Sequence, residues 1–514
     1  MGKRMNLEEA LALVQNGNFI ASSGFMVGAF AMELVEGLGK RFLETGSPKG
    51  LTLMHASGQG NNKDMGHIFI SHEGLIKRYI CGHFANNKRM IELANEGKVE
   101  AYNFPQGVIT NLYRAIAAGK PGELTKIGLD TYIDPRMQGG KMSLSCKEDL
   151  VELLRVGGKD YLLYKAHRID IGFIRGTTAD ENGNISMEEE MGVIDALDVA
   201  MAVRASGGKV IAQVKNYVKA GSIPVKDVVV PGIMVDAVVV ASNPAVHHRQ
   251  TPLEEYNPVI SGRCQSPSAG FGRLKLDERK IIARRAYLEV KPDSVINLGI
   301  GIPEGIAMVA NEEGRGGDFV LTVESGMIGG VPGGGPHFGS SYNAWANVPM
   351  ATQFLFYNGG GLDTAFLGFA EINPKGDINV TRFGPRLAGC GGFVDITQAT
   401  RAVVFCGGFT AGGFECLVKD GKLVIVQEGK NKKFLKTIEQ ISFSSIFALR
   451  EKLNIIYVTE RCVFRLTPEG IELTEVAPGI DPERDIYPHM EFKPIVKQLK
   501  SMDPRIFQEG LMGV

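Results

Sequence analysis

Glu324 stands where a carboxylate could take part in covalent chemistry. It follows the apolar run 318–323 and precedes Ser325, Gly326 and a glycine-rich stretch at 329–335. The apolar run predicts a buried strand, which would place Glu324 at the carboxyl end of that strand. A carboxylate in such a place can serve as a nucleophile that forms a covalent intermediate. It can also cap a helix or lie at the surface. The residue pattern alone favours one of these structural roles over a catalytic one.

Three further segments combine glycine or proline with candidate binding chemistry. Segment 299–305 resembles a dinucleotide fingerprint, but its third glycine comes one residue late, which argues against a nicotinamide site. It could let a ligand approach the backbone, or it could be an ordinary tight turn. Segment 388–395 could present N–H groups to an oxyanion, or it could pack closely at a bulge. Segment 103–107 contains Pro-x-Gly, which is common in turns.

The elements that would position these segments alternate between strands and helices. Phe19 to Ala21 and 294–298 read as strands, and each leads through a glycine turn into a helical pattern, at 31–38 and 304–311. This repetition indicates a duplicated unit with mainly parallel sheets, whose ligands bind at the carboxyl ends of the strands. Residues 242–271 are rich in Pro, Ser, Gly and His and show no sustained period. We therefore predict an N-terminal domain at 1–242, a linker at 243–275 and a C-terminal domain at 276–514.

Bulk composition narrows the function classes. The 514 residues exceed the size of a single core, and 56 basic against 57 acidic residues give no electrostatic reason to expect a nucleic-acid or membrane partner. The seven cysteines form no Cys-x-x-Cys pair, and the histidines form no metal-ligand run. His247 and His248 are expected in a surface loop. No secretory signal or membrane-spanning segment is evident, so we expect a cytoplasmic protein. The spacing of the cysteines and histidines leads us to expect no bound metal.

The ordered set of motifs resembles a known family over nearly the whole chain. Residues 297–303, 323–326, 359–363 and 389–392 are similar to the second half of family I coenzyme A transferases. Residues 104–107 and 127–140 are similar to the first half, as in the fused propionate and acetate CoA-transferases. The resemblance implies an α/β fold of two related open domains with mainly parallel sheets, and it places the catalytic glutamate in the C-terminal domain.

The same resemblance implies roles for individual residues. Glu324 would be the nucleophile, and the backbone N–H groups of Gln106 and Gly391 would be the oxyanion donors, with Gly392 as the alternative to Gly391. The implied coenzyme A contacts are Gly299, Ile300, Gly301, Ile302, Pro303 and Gly392. Coenzyme A and acyl-CoA would be substrates rather than permanently bound cofactors. A homo-oligomer such as a tetramer is expected.

The chemistry of coenzyme A transfer explains these residue types. Moving coenzyme A between carboxylic acids, such as propionate and acetate, requires the thioester bond energy to be retained in a covalent enzyme intermediate. A free glutamate, with a pKa of about 4.3, is ionised near neutrality and needs no general base for such a role. Two alternatives stay open: an acyl-CoA hydrolase on the same fold, and a non-catalytic α/β metabolite-binding protein.

Overall fold

The computed structural model describes residues 3–266 and 273–514. The α-helices α1 to α11 are, in chain order, Leu7–Leu11, Met32–Thr45, Lys88–Asn95, Gln106–Ala117, Ala196–Ala205, Pro244–His247, Glu278–Tyr287, Glu304–Glu312, Met350–Asn358, Phe393–Ala399 and Ser445–Arg450.

Strands β1 to β12 are Phe19–Ser22, Leu51–His55, Ile76–Cys81, Glu100–Asn103, Gly122–Thr125, Val151–Val156, Lys159–Lys165, Ile171–Asp180, Ile185–Ser186, Lys209–Val218, Val228–Val230 and Ala237–Val240. Strands β13 to β23 are Val295–Leu298, Val320–Val323, Met327–Ile328, Val331–Pro332, Ser341–Tyr342, Ala346–Asn347, Thr364–Gly368, Glu371–Ile372, Ile378–Asn379, Arg382–Phe383 and Arg386–Leu387. Strands β24 to β32 are Ala402–Cys406, Thr410–Ala411, Glu415–Lys419, Lys422–Gln427, Asn431–Lys432, Asn454–Val458, Cys462–Thr467, Gly470–Val476 and Lys500–Ser501.

The chain divides into two compact units that interleave along the sequence. The first unit comprises Met1–Ser266, Val323–Leu355 and Phe383–Asp395, and the second comprises Pro267–Thr322, Phe356–Arg382 and Ile396–Val514. These units differ from the contiguous domains expected from the sequence, because two segments of the second half pack with the first. Glu324 is accordingly in the first unit rather than in a self-contained C-terminal domain.

The first unit is built on a mainly parallel sheet. Strands β8, β1, β2, β3 and β4 lie side by side and parallel, and β10 pairs in parallel with both β8 and β12. Every residue of β8 is buried, as expected for a strand with both faces covered. The short strands β9 and β11 add antiparallel pairs at one end. Consequently β1, β2, β3 and β4 bring their carboxyl ends to one edge.

The second unit repeats this design. Strands β14, β13, β19, β24 and β29 pair in that order and in parallel, followed by the antiparallel strands β30 and β31. Apolar residues of β13, β24 and β29 pack with the buried faces of α7 and α8 in one core. β-branched residues at these positions favour the strand conformation and fill the core. The α/β fold class expected from the sequence is confirmed.

The part of the expected linker that precedes residue 267 belongs to the first unit. Residues 267–272 lie outside the described residues. Pro244–His247 forms α6, and Ser242 donates to the Glu33 carboxylate from its backbone N–H at 2.9 Å and from its hydroxyl. The expectation of a surface loop at His247 and His248 is wrong for His248, which is only 5% exposed. Local sequence composition could not reveal its buried partner, Glu190.

Candidate active site

Glu324 lies directly against the backbone of Gly392. The glutamate follows β14 and is 7% exposed, so its side chain is almost enclosed. A Cβ atom placed on Gly392 would lie 3.2 Å from Glu324 Cγ and 3.1 Å from Phe354 Cζ. Both contacts are tighter than ordinary van der Waals packing. The absence of a side chain at Gly392 therefore allows the backbone to approach the carboxylate side chain.

The loop 389–392 needs glycine for conformation as well as for space. Gly389 and Gly391 adopt φ values of +83° and +52°, which L-amino acids with a side chain rarely adopt. The end of β3 holds the loop in place, because Gly391 N–H donates to the Gly82 carbonyl at 2.7 Å and Phe84 N–H to the Ala388 carbonyl at 2.7 Å. The loop is thus fixed against the edge where β3 ends.

Asn103, the last residue of β4, ties the same loop to its neighbours. Its side-chain NH₂ donates to the carbonyls of Cys81 and Gly82, at 2.7 and 2.8 Å. Its Oδ1 accepts from Cys390 N–H at 2.9 Å and from the Tyr132 hydroxyl. An amide can make four hydrogen bonds, and this fully buried side chain makes all four. Asn103 therefore fixes the loop 389–392 relative to the ends of β3 and β4.

Gln106 begins α4 and reaches the glycine loop through its backbone. Gln106 N–H donates to the Gly391 carbonyl at 2.9 Å, and the next N–H, of Gly107, donates to Asp395 Oδ2 at 3.0 Å. The structure thus brings Gln106 to the same glycine loop whose Gly392 lies beside Glu324. The N–H groups of Gln106 and Gly391, expected to be oxyanion donors, are both engaged with backbone carbonyls in this structure.

His83 belongs to the same neighbourhood, and sequence reasoning missed it. A Cβ atom on Gly391 would lie 3.8 Å from His83 Cδ2, and the His83 Nδ1 lies 3.0 Å from Asn86 Oδ1. Burial lowers the pKa of His83, so the imidazole is favoured in its neutral form. Asn86 in turn donates to the Met26 sulfur at 3.0 Å. The signal that could have located His83 is its place just after the β-branched and aromatic run that forms β3.

Met26 lies in a loop, residues 25–30, that is held in a strained conformation. Met26 and Ala29 have φ values of +54° and +49°. Strain of this kind persists only where the surroundings enforce it. The buried Arg175 guanidinium donates to the carbonyls of Val27 and Phe30, and Ala29 N–H donates to Glu190. The surroundings thus enforce this loop conformation.

Arg175 and Glu190 form a completely buried ion pair behind this loop. The two hydrogen bonds between their side chains measure 2.8 and 2.6 Å, and His248 Nε2 lies 3.1 Å from Glu190 Oε1. Although burial raises the pKa of Glu190, the Arg175 charge and the His248 contact outweigh it and hold that pKa well below its usual range. A charged pair of this kind is costly to bury and is therefore retained only where its geometry is well satisfied.

The predicted coenzyme A loop, 299–303, belongs to the second unit. It follows β13, and Gly299 N–H donates to the Phe366 carbonyl of the neighbouring β19 at 2.8 Å. Gly301 has φ +88° and open space around the position of a Cβ atom, whereas the Ile300 side chain is 55% exposed. Arg279 donates to the Gly301 carbonyl at 3.1 Å. The loop therefore presents an accessible backbone turn at the carboxyl edge of its sheet.

Within 3–266 and 273–514, no group of three or more His, Cys, Asp or Glu side chains is arranged to hold a metal ion. In the same residues, no helix combines the length and apolar character needed to cross a membrane.

Comparison with known proteins identifies the family. A model of the family described as coenzyme A transferase matches residues 4–241. The chain is 42% identical to the caffeate CoA-transferase of Acetobacterium woodii over all of this chain and 99% of that protein. It is also 42% identical to the acetate CoA-transferase YdiF of Escherichia coli K12, over 94% of this chain and 91% of the relative. The chain belongs to the coenzyme A transferase family.

Solved structures agree with this membership. The apoenzyme of the acyl-CoA transferase YdiF from Escherichia coli O157:H7 matches with a TM-score of 0.94 and 40% identity, over all of this chain and 97% of that chain. The same E. coli protein in a thioester complex with CoA matches with a TM-score of 0.93, 40% identity and the same coverage. The chain is therefore a transferase with the fold of these CoA-transferases.

Proposed function

We propose that this CoA-transferase moves coenzyme A from a short-chain acyl-CoA to a carboxylate such as acetate or propionate, through a covalent intermediate on Glu324. The observation that carries the proposal is the enclosure of the Glu324 side chain against Gly392, in contact with a loop that Asn103 and Gly82 hold in place. A preorganised backbone beside a carboxylate suits a nucleophile whose reaction passes through tetrahedral oxyanions. A capping or surface role would not require such enclosure.

The proposed reaction has two forward steps. The Glu324 carboxylate attacks the thioester carbonyl, the carbon–sulfur bond breaks, and an acyl-glutamyl anhydride and CoA thiolate result. The thiolate then attacks the glutamyl carbonyl, which releases the donor carboxylate and leaves a glutamyl-CoA thioester. The acceptor carboxylate repeats the two steps in reverse and leaves as its CoA thioester, with Glu324 restored. No proton is gained or lost overall.

Gly392 N–H is the proposed second oxyanion donor. The N–H of Gly391 is directed to the Gly82 carbonyl, whereas the Gly392 backbone adjoins the reacting side chain. A contribution from Gln106 would come from its side-chain amide, because its backbone N–H is bonded to Gly391. That amide donates to the Met350 sulfur at 3.1 Å, a weak acceptor that an oxyanion would displace easily. One preorganised donor typically contributes about 2.7 to 4 kcal/mol to such a transition state.

Exclusion of water is the second requirement. Hydrolysis of either intermediate would lose the thioester energy, so the reacting carboxyl must be shielded. The 7% exposure of Glu324, with Phe354 against Gly392, supports this shielding. Coenzyme A binding by Gly299, Ile300, Gly301, Ile302 and Pro303 is part of the proposal, as are acyl-CoA and short-chain carboxylates as substrates. The oligomeric state and the cytoplasmic location stay predictions.

The test of the proposed function is an exchange assay. The purified protein is incubated with propionyl-CoA with and without acetate, and acetyl-CoA and free CoA are quantified. We expect acetyl-CoA formation that depends on acetate. Release of CoA at the same rate without acetate would favour a hydrolase and contradict the proposal.

Variants test whether the activity depends on Glu324. Glu324→Gln is expected to lower kcat by more than about 1,000-fold, since removal of a covalent nucleophile typically costs at least that much. The matched control is Glu469→Gln, because Glu469 is an exposed surface glutamate paired with Lys497. The control should keep full activity. A Glu324→Gln protein with undiminished exchange would contradict the assigned role.

A further inference from the structure

Lys433 and Glu278 lie against consecutive glycines, Gly407 and Gly408, at the carboxyl edge of the second unit's sheet, and they form no ion pair with each other. The Lys433 ammonium lies 3.9 Å from the centre of the Phe369 ring and against Gly407, the first residue after β24. The Glu278 carboxylate lies against Gly408. Among the residues that the structure describes, neither side chain makes a hydrogen bond or an ion pair. Both side chains are partly exposed, so solvent or a ligand can reach them.

Neighbouring carboxylates do not satisfy this lysine. Glu460 is buried nearby, but its Oε1 accepts from Arg461 Nε at 2.6 Å and its Oε2 from Phe409 N–H at 2.8 Å. Burial lowers the pKa of Lys433 to about 8, an effect that the charges of Glu460 and Glu278 partly offset. Burial also raises the pKa of Glu278 to about 7, reinforced by the negative charge of Glu460. Near neutrality, therefore, Lys433 remains a hydrogen-bond donor without an acceptor.

The position of this pair is one where ligands bind in parallel sheets. Strands β13, β19 and β24 are neighbours, and their carboxyl ends lead into the loop 299–303, Phe369 and Gly407. Adjacent strands are about 4.8 Å apart, so β24 is about 10 Å from β13 along this edge. Arg279, the residue after Glu278, also donates to Gly301 in that loop. Lys433 and Glu278 thus extend the predicted coenzyme A surface.

The chemistry of the pair selects a neutral ligand group. A donor and an acceptor beside an aromatic face suit a secondary amide, whose carbonyl accepts and whose N–H donates. A phosphate at this place would lie near the carboxylates of Glu278 and Glu460, and the negative charges would repel each other. Within coenzyme A, the secondary amides are in the pantetheine arm.

We propose that Lys433 donates a hydrogen bond to an amide carbonyl of the pantetheine arm, with Glu278 accepting from an amide N–H and Phe369 packing against the arm. This assignment rests on the proposed function, because it identifies a second contact region for the acyl-CoA substrate. It also explains why Lys433 and Glu278 are partly exposed, since a pair with a purely structural role would not need to be accessible.

The test compares three propionyl donors with acetate as acceptor. Propionyl-CoA contains both amides and the nucleotide, propionyl-pantetheine contains the amides alone, and a propionyl ester of a simple alkyl thiol contains neither. Lys433→Met should lower kcat/KM about 10- to 100-fold, and equally, for the first two donors, the range expected for a charge-assisted hydrogen bond. Activity with the alkyl thioester should stay within twofold of the wild type, which also shows that the variant is folded.

Two other patterns would overturn the inference. A loss confined to propionyl-CoA would assign Lys433 to a phosphate, and an equal loss with all three donors would make its role structural. Phe369→Leu, a second variant, should show the same preference for loss with amide-bearing donors. The matched control is Lys436→Met, because Lys436 is exposed three residues further on. A wild-type protein that transfers nothing would instead refute the proposed function.

Discussion

Gly392→Ala should damage the chemical step while leaving the fold intact. The added methyl group would lie 3.2 Å from Glu324 Cγ and 3.1 Å from Phe354 Cζ, whereas ordinary contacts begin near 3.4 Å. The glutamate or the ring must therefore shift by a few tenths of an ångström. A misplacement of about 1 Å can cost about 100-fold in rate, so we expect kcat to fall about 10-fold. Overpacking of this size typically costs about 1 to 3 kcal/mol of stability.

The assay for this prediction is steady-state exchange between propionyl-CoA and acetate, with thermal unfolding measured in parallel. Gly317→Ala is the control, because no atom lies within 4 Å of the position of its added Cβ and its backbone has no positive φ. The control should retain wild-type kcat. If Gly392→Ala kept kcat within twofold while its KM was unchanged, the close approach of Gly392 to the reacting carboxylate would have no catalytic meaning.

Three further predictions follow from buried polar groups. Asn103→Asp should lower kcat at least 10-fold with little change in KM. The new carboxylate would repel the Gly82 carbonyl, which the Asn103 amide now binds, and so displace the loop 389–392. A wild-type kcat in this variant would contradict the prediction. Burial lowers the pKa of His55 to about 4, below that of the same side chain in the unfolded protein. The unfolded state therefore binds a proton first as the pH falls, so the stability that His55 contributes above pH 6.5 is lost as the pH falls towards 4. His55→Gln should therefore flatten melting temperature against pH over that window, and an unchanged slope would refute this. Glu190→Gln should destabilise the fold by about 3 to 5 kcal/mol in urea unfolding, because it leaves Arg175 unpaired; a loss below about 1 kcal/mol would be inconsistent.

Local patterns predicted the elements that bear the site. The expected strand, glycine turn and helix at 294–311 correspond to β13 and α8, and those at 19–38 correspond to β1 and the start of α2. Glu324 directly follows β14, at the strand end where the pattern placed it. These features depend on hydrophobic periodicity and on glycine, both of which act over a few residues. The family resemblance then selected the function that periodicity alone could not.

Long-range arrangements left little trace in the sequence. The placement of Val323–Leu355 and Phe383–Asp395 in the first unit depends on packing between distant segments. The four hydrogen bonds of Asn103 likewise join residues from four parts of the chain. The choice between Gly391 and Gly392 as the oxyanion donor depends on which of their N–H groups donates to the Gly82 carbonyl. Arg175 directly follows the apolar residues 171–174, and a charge at such a position would indicate a buried partner.

The central claim, a covalent intermediate on Glu324, is tested most directly by trapping. The protein is incubated with propionyl-CoA in the absence of acetate, reduced with borohydride, digested and analysed by mass spectrometry. We predict that the peptide bearing Glu324 carries the mass change for conversion of a carboxyl group to a primary alcohol, and that no other glutamate does. An unmodified Glu324 peptide from a protein that is active in exchange would contradict the account.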